Sequence, residues 1–324
     1  MLTTDQLHEK IKQAIANLPV YGEPEGLYQP IAYTLEQGGK RLRPLLTLMS
    51  TQTFGGNPDK ALPAAIAIEI FHNFTLLHDD IIDEAPLRRG RDTVYKKWNI
   101  NTAILSGDTM FAIAYGQLCS SDTEFLPALM KVFTRTAIEV CEGQQYDIDF
   151  ETSGNVNIDA YINMIRLKTA VLLAASLKIG AITGGASEQD SDRVYSFGEN
   201  LGIAFQLQDD LLDAFGNEKV FGKKTGGDIL TNKKTYLYLK ALECANEKDA
   251  AKLKELYSTR NMNDEEKIGS VLGIFKRAEI ESHTGKLIQQ YYDLAISQLS
   301  QIKPSPEARK PLEDMASAML VRKY

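Results

Sequence analysis

The sequence has few of the residues that build disulfide scaffolds and soft-metal cages: its 324 residues include three cysteines and four histidines. Cys119, Cys141 and Cys244 are scattered without CxxC spacing, which argues against a disulfide framework or zinc site and fits a reducing cytosol. His8, His72, His78 and His283 are too dispersed for an imidazole cage. Positive charge is in deficit as well. The formal net charge of −7 argues against a nucleic-acid partner, which a basic face would meet. The most apolar stretch, residues 170–185, is broken by Lys178 and is too short to span a bilayer. At the N-terminus Asp5, Glu9, Lys10 and Lys12 interleave with Leu7, Ile11, Ile15 and Leu18, the pattern of an amphipathic helix and not of a signal peptide. No segment alternates with period two for long enough to suggest a sheet. These absences predict a soluble cytoplasmic protein with no nucleic-acid partner and no stable membrane insertion.

What is abundant is helical periodicity. Apolar residues recur at i, i+3, i+4 spacing through residues 64–85, 102–119, 122–150, 159–183 and 188–215. Prolines fall at the borders of periodic segments, and residues 54–58 (FGGNP) and Gly184-Gly185 are clear breaks. The runs 64–77 and 201–207 are apolar on most sides, as helices in the middle of a bundle are. The last third, residues 233–324, is more charged and reads as outer helices. The pattern predicts an all-α fold, one domain over residues 1–324.

Two aspartate clusters share one spacing: Asp79-Asp80-Ile-Ile-Asp83 and Asp209-Asp210-Leu-Leu-Asp213. On a helix the first and last carboxylates differ by about 40° around the axis and about one turn along it, so each cluster shows two or three carboxylates on one face. Like charges that close need a cation between them. Hard oxygen donors favour Mg²⁺, which, held by few carboxylates, usually bridges to a substrate phosphate. Duplication of the cluster suggests two jaws on a diphosphate.

A diphosphate needs further countercharge, and the sequence places basic groups near both clusters. Gly38-Gly39-Lys40-Arg41-Leu42-Arg43-Pro44 presents cations at a helix start, and Arg88-Arg89-Gly90 follows the first cluster. The glycine-rich segment 222–228 (GKKTGGD), with Lys233-Lys234-Thr235, follows the second. Lys168-Thr169 puts a cation and a hydroxyl inside an apolar run. Alone, each piece reads as well as a solvated face or a turn. Together they do not.

The chain resembles the trans-isoprenyl diphosphate synthases of the polyprenyl synthetase family. GGKRLRP at 38–44, LLHDDIIDEAPLRRG at 76–90, EGQQYD at 142–147, KTA at 168–170, FQLQDDLLD at 205–213, FGKKTGGDI at 221–229 and KKT at 233–235 carry the likeness. Lys224 stands where the family usually has proline, and Thr231-Asn232 replace the usual Glu-Gly. The resemblance implies a helical bundle of the isoprenoid synthase type with a central cavity. It also implies a homodimer, three Mg²⁺ per active site, and two substrates, isopentenyl diphosphate and an allylic diphosphate. Asp79, Asp83 and Asp209 would bind Mg²⁺, with Asp80, Asp210 and Asp213 assisting. Arg88, Lys168, Lys223 and Lys233 would hold the allylic diphosphate. Thr169 and Gln206 would offer dipoles to the allylic cation, and Lys40, Arg43, His72 and Arg89 would hold isopentenyl diphosphate.

Glu69-x-x-His72 has the spacing of ferritin-like di-iron sites, but such sites need a second ExxH and the chain has none. A diphosphate donor suits His72 better, two turns before Asp79. Below the first cluster Phe74, with Phe71 and Thr75, lies where the family sets product length. A bulky Phe74 beside a small Thr75 implies geranylgeranyl diphosphate first and farnesyl diphosphate second. A terpene cyclase would have no use for a second diphosphate subsite, and a non-catalytic partner subunit would have lost acidic or basic residues that are all present here.

Overall fold

The computed structural model describes residues 1–216, 225–259 and 262–320. Lys223, Lys224 and the basic tail 321–324 lie outside the described residues. In chain order the elements are α1 (Thr4–Ala16), α2 (Glu25–Glu36), α3 (Leu42–Thr53), α4 (Pro58–Ile82), β1 (Leu87–Arg88), β2 (Arg91–Asp92), α5 (Val94–Lys97), α6 (Ile100–Cys119), α7 (Leu126–Thr152) and α8 (Ile158–Ile165). A π-helical turn (Arg166–Ala170) leads into α9 (Val171–Thr183) and α10 (Glu188–Phe215). After these come α11 (Gly227–Leu230), α12 (Tyr236–Cys244), α13 (Glu247–Ser258), α14 (Asp264–Arg277), α15 (Ile280–Ser300) and α16 (Pro306–Leu320). Among the described residues the fold is all-α, as the periodicity predicts, apart from one hairpin of two-residue strands.

The chain divides into two compact units. The first holds Met1–Arg135, Ala175–Asp192 and Lys303–Arg309, and the second holds Thr136–Ala174 with the described parts of Arg193–Ile302 and Lys310–Tyr324. In the first unit α4 packs against α3 and α6. Its start is set by the Asn57 side chain, which accepts from the Asp59 N–H at 3.0 Å, and by Pro58 in the first turn, where a missing N–H costs nothing. Ala64, Ala65, Ile66, Ala67, Ile68, Ile70 and Phe71 are all buried, so the helix is wrapped on nearly every side. Among the described residues α4 is the one helix long and apolar enough to cross a membrane, yet 61% of that window is buried within the protein. It is a core helix. In the second unit Tyr161, Ile165, Ala204, Leu207 and Leu211 form a core with Leu237, Leu253, Val271 and Phe275, each large side chain contributing about 1.5–3 kcal/mol by burial. The three cysteines are exposed free thiols.

Two local expectations are corrected. Pro30, Pro63 and Pro311 lie inside α2, α4 and α16 instead of at borders. Each is the sixth residue of its helix, so its ring removes one early backbone hydrogen bond without breaking a long ladder. The periodic run 159–183 is not one α-helix, because the π-turn inserts an extra residue at Lys168 and Thr169.

Candidate active site

The first aspartate cluster occupies the C-terminal end of α4. Asp83 is the C-cap, its N–H bonded to the Asp79 carbonyl at 2.8 Å, and Glu84 turns left-handed (φ 50°) while the Ala85 N–H bonds back to the Asp80 carbonyl at 3.0 Å. A helix C-terminus carries negative partial charge, so acidic side chains there are at the unfavourable end. Asp80 is buried and accepts from Arg88 Nε at 2.7 Å. Burial pushes its carboxyl up to about 6 against the pull of Arg88, helped by the charges of Asp79 and Asp83. His78 points elsewhere, with Nε2 3.3 Å from the Ile104 carbonyl and its ring edge-on to Phe74.

Arg88 and Arg89 ride on the hairpin, whose two-residue turn, Arg89 and Gly90, has φ of 53° and 75°. Tyr33 pins this hairpin: its hydroxyl donates to the Asp92 carbonyl at 2.8 Å and its ring lies 4.5 Å from the Arg91 guanidinium. Arg89 donates to the Gly38 carbonyl. Gly39 (φ 122°) leaves room for that approach, since a β-carbon there would lie 2.9 Å from the Arg89 guanidinium carbon. Arg43 Nη1 is 3.0 Å from His72 Nε2. Burial, and then the charges of Arg43, Arg89, Arg88 and Arg41, hold the His72 imidazole well below its usual range, so it is neutral. Glu69 pairs with Arg41 and Asp80 with Arg88, and the Nε of Arg43 is buried without a hydrogen-bond partner. Such a cluster suits an anion. A shallow cleft is lined by Gln37, Asn73, Asp80, Arg88 and Arg89.

Upstream of the aspartates on α4, aromatic rings interlock. Phe74 lies 5.5 Å from Phe71 and 5.3 Å from Phe111 of α6, and Phe111 lies 5.1 Å from Tyr115. Phe133 of α7 closes the group at 5.5 Å from Phe71 and 5.1 Å from Tyr115. Phe71 is fully buried and Phe74 half-buried, while the Thr75 hydroxyl is tied to the His72 carbonyl at 2.8 Å.

The second unit has the opposite charge balance. Asp209, Asp210 and Asp213 sit in the last two turns of α10, again at a helix C-terminus, and Asp147 and Asp228 join them. Lys168 Nζ bonds Asp147 at 2.6 Å, and Lys233 Nζ lies 4.0 Å from the same carboxylate. Asp210 is buried under the Tyr161 hydroxyl, which donates to it, and Gln206 Nε2, at 3.0 Å. Burial and the Asp228 charge raise the Asp210 carboxyl far above the usual carboxylate range, and burial and Asp213 raise that of Asp228. Thr169, in the π-turn, donates to Gln206 Oε1 at 3.1 Å, which commits its hydrogen and leaves the oxygen as an acceptor. The Asp228 N–H bonds Asp213 at 3.0 Å. Asn232 adopts φ 58°, a left-handed conformation asparagine tolerates, which accounts for its standing where the family has glycine. Its side chain is held by the buried Lys267 at 2.7 Å.

Each sequence-predicted site residue that is described lies in one or other unit, with Phe71, Phe74 and Thr75 in the first. Lys40, Arg43, His72, Arg88, Arg89, Asp79, Asp80 and Asp83 belong to the first unit, and Lys168, Thr169, Gln206, Asp209, Asp210, Asp213 and Lys233 to the second. Asp147, Tyr161 and Asp228 were not singled out from sequence. Asp147 ends the EGQQYD segment and Asp228 the GGD run, so both had a signal, whereas Tyr161 had none. Among the described residues no three His, Cys, Asp or Glu side chains already converge as a metal cage. The donor set nonetheless fits Mg²⁺, which binds through few carboxylates, water and substrate phosphate instead of an all-protein cage.

The fold and site together define an all-α chain with carboxylates at two helix ends and guanidinium groups beside one of them. A family model described as "Polyprenyl synthetase" matches residues 24–275, and the chain belongs to that family. Over its whole length the chain is similar to a crystal structure of a geranylgeranyl pyrophosphate synthase, with a TM-score of 0.95, 47% identity and 100% of both chains covered. It is 34% identical over 322 residues to "Short chain isoprenyl diphosphate synthase" of Methanothermobacter thermautotrophicus, covering 99% of this chain and 97% of the relative. It is 38% identical over 320 residues to "Geranylgeranyl pyrophosphate synthase" of Geoglobus acetivorans, covering 98% and 96%. The protein is a polyprenyl diphosphate synthase, a prenyltransferase.

Proposed function

We propose that the protein joins isopentenyl diphosphate head-to-tail to an allylic diphosphate and that its main product is all-trans geranylgeranyl diphosphate. The observation that carries this is the placement of both aspartate clusters at helix C-termini, the unfavourable end for acidic side chains, where a bound cation adds stabilisation. Asp79, Asp83 and Asp209 would hold Mg²⁺ for the allylic diphosphate, with Asp80, Asp210 and Asp213 supporting them. Held there, the ion would supply Lewis-acid stabilisation of the charge that develops on the leaving diphosphate. Lys168, Lys233 and Arg88 add cations to the same group, and Lys223 is assigned with them from sequence. The departing diphosphate takes the bonding electrons. The acceptor oxygen of Thr169 and the Gln206 amide stabilise the allylic cation. Lys40, Arg43, Arg89 and neutral His72 hold isopentenyl diphosphate, whose double bond attacks the cation to form the new C–C bond. Loss of one proton to the released diphosphate completes the step. The exposed Ile100, Ile104 and Leu105 of α6 support a homodimer, since a second copy would cover them.

Incubation of purified protein with Mg²⁺, isopentenyl diphosphate and farnesyl diphosphate, followed by mass spectrometry, tests this. A 20-carbon diphosphate is expected. Hydrocarbon products, or no extension of any allylic primer, would remove the proposal.

Phe74 limits the length. Its ring is held by Phe71 and Phe111, so Phe74→Ala opens a void that the neighbours cannot refill without leaving their own contacts. The main product of this variant is expected to grow by about one isoprene unit, read from the chain-length distribution under equal substrate ratios. An unchanged distribution would take Phe74 off the floor of the pocket.

A further inference from the structure

We propose that Glu69 is a positioning residue for the isopentenyl diphosphate subsite, acting through a buried ion pair with Arg41. The inference rests on the assignment of Lys40, Arg43, His72 and Arg89 to that substrate. Within the loop Lys40-Arg41-Leu42-Arg43 the middle arginine behaves unlike its neighbours. Lys40 is exposed and Arg43 half-buried, but Arg41 is only 9% exposed, with its guanidinium on the Glu69 carboxylate and the Leu35 carbonyl. Glu69 is 2% exposed in the middle of α4, and its carboxylate also accepts from Asn73 Nδ2 at 2.9 Å. Asn73 is 1% exposed, and its amide is fixed in turn by the Glu69 carbonyl at 2.7 Å. A carboxylate buried so deeply stays charged only beside a matched cation, so this pair locks the position of Arg41.

That lock has a geometric consequence. Arg41 is the N-cap of α3 and takes a left-handed backbone (φ 45°, ψ 39°), which a non-glycine residue keeps only where its surroundings impose it. The turn at Arg41 decides where the chain carries Lys40 on one side and Arg43 on the other. The same loop supplies the Gly38 carbonyl and the bare Gly39 against which Arg89 rests. The ExxH spacing on α4 then acquires a meaning: Glu69 takes Arg41 and His72 takes Arg43, two rungs between one helix and one R-x-R segment. Buried ion pairs add little stability compared with an apolar pair of the same size, so a role in geometry is the better account of this one.

The test uses full-length Glu69→Gln, Arg41→Met and the apolar double variant Arg41→Met/Glu69→Leu, with Lys40→Ala and Arg43→Ala as controls on the substrate assignment. Steady-state kinetics with both substrates and thermal melting are measured for each. In the Glu69 and Arg41 variants KM for isopentenyl diphosphate is expected to rise about tenfold or more, while KM for the allylic substrate stays within about twofold. The double variant is expected to melt near the wild-type temperature and still show the raised KM. A double variant that fails to fold, or one that folds with wild-type KM values or with both raised alike, overturns the proposal. If Lys40→Ala and Arg43→Ala raise KM for isopentenyl diphosphate and the Glu69 variants do not, only this inference fails. If the controls leave that KM unchanged, the substrate assignment itself fails.

Discussion

Asp83→Asn is expected to lower kcat by about 10³-fold at saturating Mg²⁺ while leaving the fold intact. Asp83 is exposed at the C-cap of α4, and its charge adds to the repulsion that already raises the Asp80 carboxyl. Replacing one charged oxygen by an amide nitrogen keeps the shape, weakens a hard-metal donor and relieves repulsion at the negative end of the helix. Activity and stability therefore move in opposite senses: kcat collapses, and the melting temperature in the absence of metal stays level or rises. KM for isopentenyl diphosphate should scarcely change, because the residues proposed for that substrate are cations and an imidazole. Steady-state kinetics beside a melting curve would check this. A variant that keeps within a few-fold of wild-type kcat would show that Asp83 holds no essential metal.

Gly143→Ala is expected to cost about 10²-fold in kcat and to lower the melting temperature. A β-carbon at Gly143 would stand 2.2 Å from the Lys168 backbone nitrogen and 2.7 Å from both the Leu167 carbonyl carbon and the Lys168 Cα. All three are backbone atoms, so no side chain can swing away. The glycine lets α7 abut the π-turn, and one turn later on α7 Asp147 receives Lys168 at 2.6 Å. Pushing the two apart displaces the Lys168 ammonium and, through the neighbouring Thr169, the hydrogen bond to Gln206. Kinetics with the allylic substrate varied, together with calorimetric melting, would measure both effects. Wild-type kcat in a variant of unchanged stability would mean that the close approach at Gly143 has no bearing on Lys168.

Much of this arrangement is legible from sequence because helical periodicity is strong and the carboxylate spacing is repeated. The breaks at residues 54–58 and 184–185 do end α3 and α9. The prolines are poor border markers here because a proline at the sixth position of a helix costs one hydrogen bond, which tertiary packing absorbs. The π-turn leaves no mark in an apolar run, since an inserted residue shifts the pattern by less than the width of a buried face. Phe111 and Tyr115 look like ordinary core spacing on α6, and only their contacts join them to Phe74. Glu69 raised a metal question in sequence that had no good answer, because its partner Arg41 lies 28 residues away and hides inside a basic run that reads as a surface. The position of both acidic clusters at helix ends, with its electrostatic consequence, became visible only once the ends of α4 and α10 were located.

The proposed function divides the labour: the aspartates would grip the allylic diphosphate through metal, and Lys40, Arg43, His72 and Arg89 would grip isopentenyl diphosphate without it. Calorimetric titration of the unmodified protein separates the two. Isopentenyl diphosphate and an allylic thiodiphosphate that resists ionisation would each be titrated with Mg²⁺ and with EDTA. Removal of Mg²⁺ is expected to weaken the allylic analogue by about 100-fold or more and isopentenyl diphosphate by less than about threefold. Equal dependence of both ligands on Mg²⁺, or independence of both, would contradict the account.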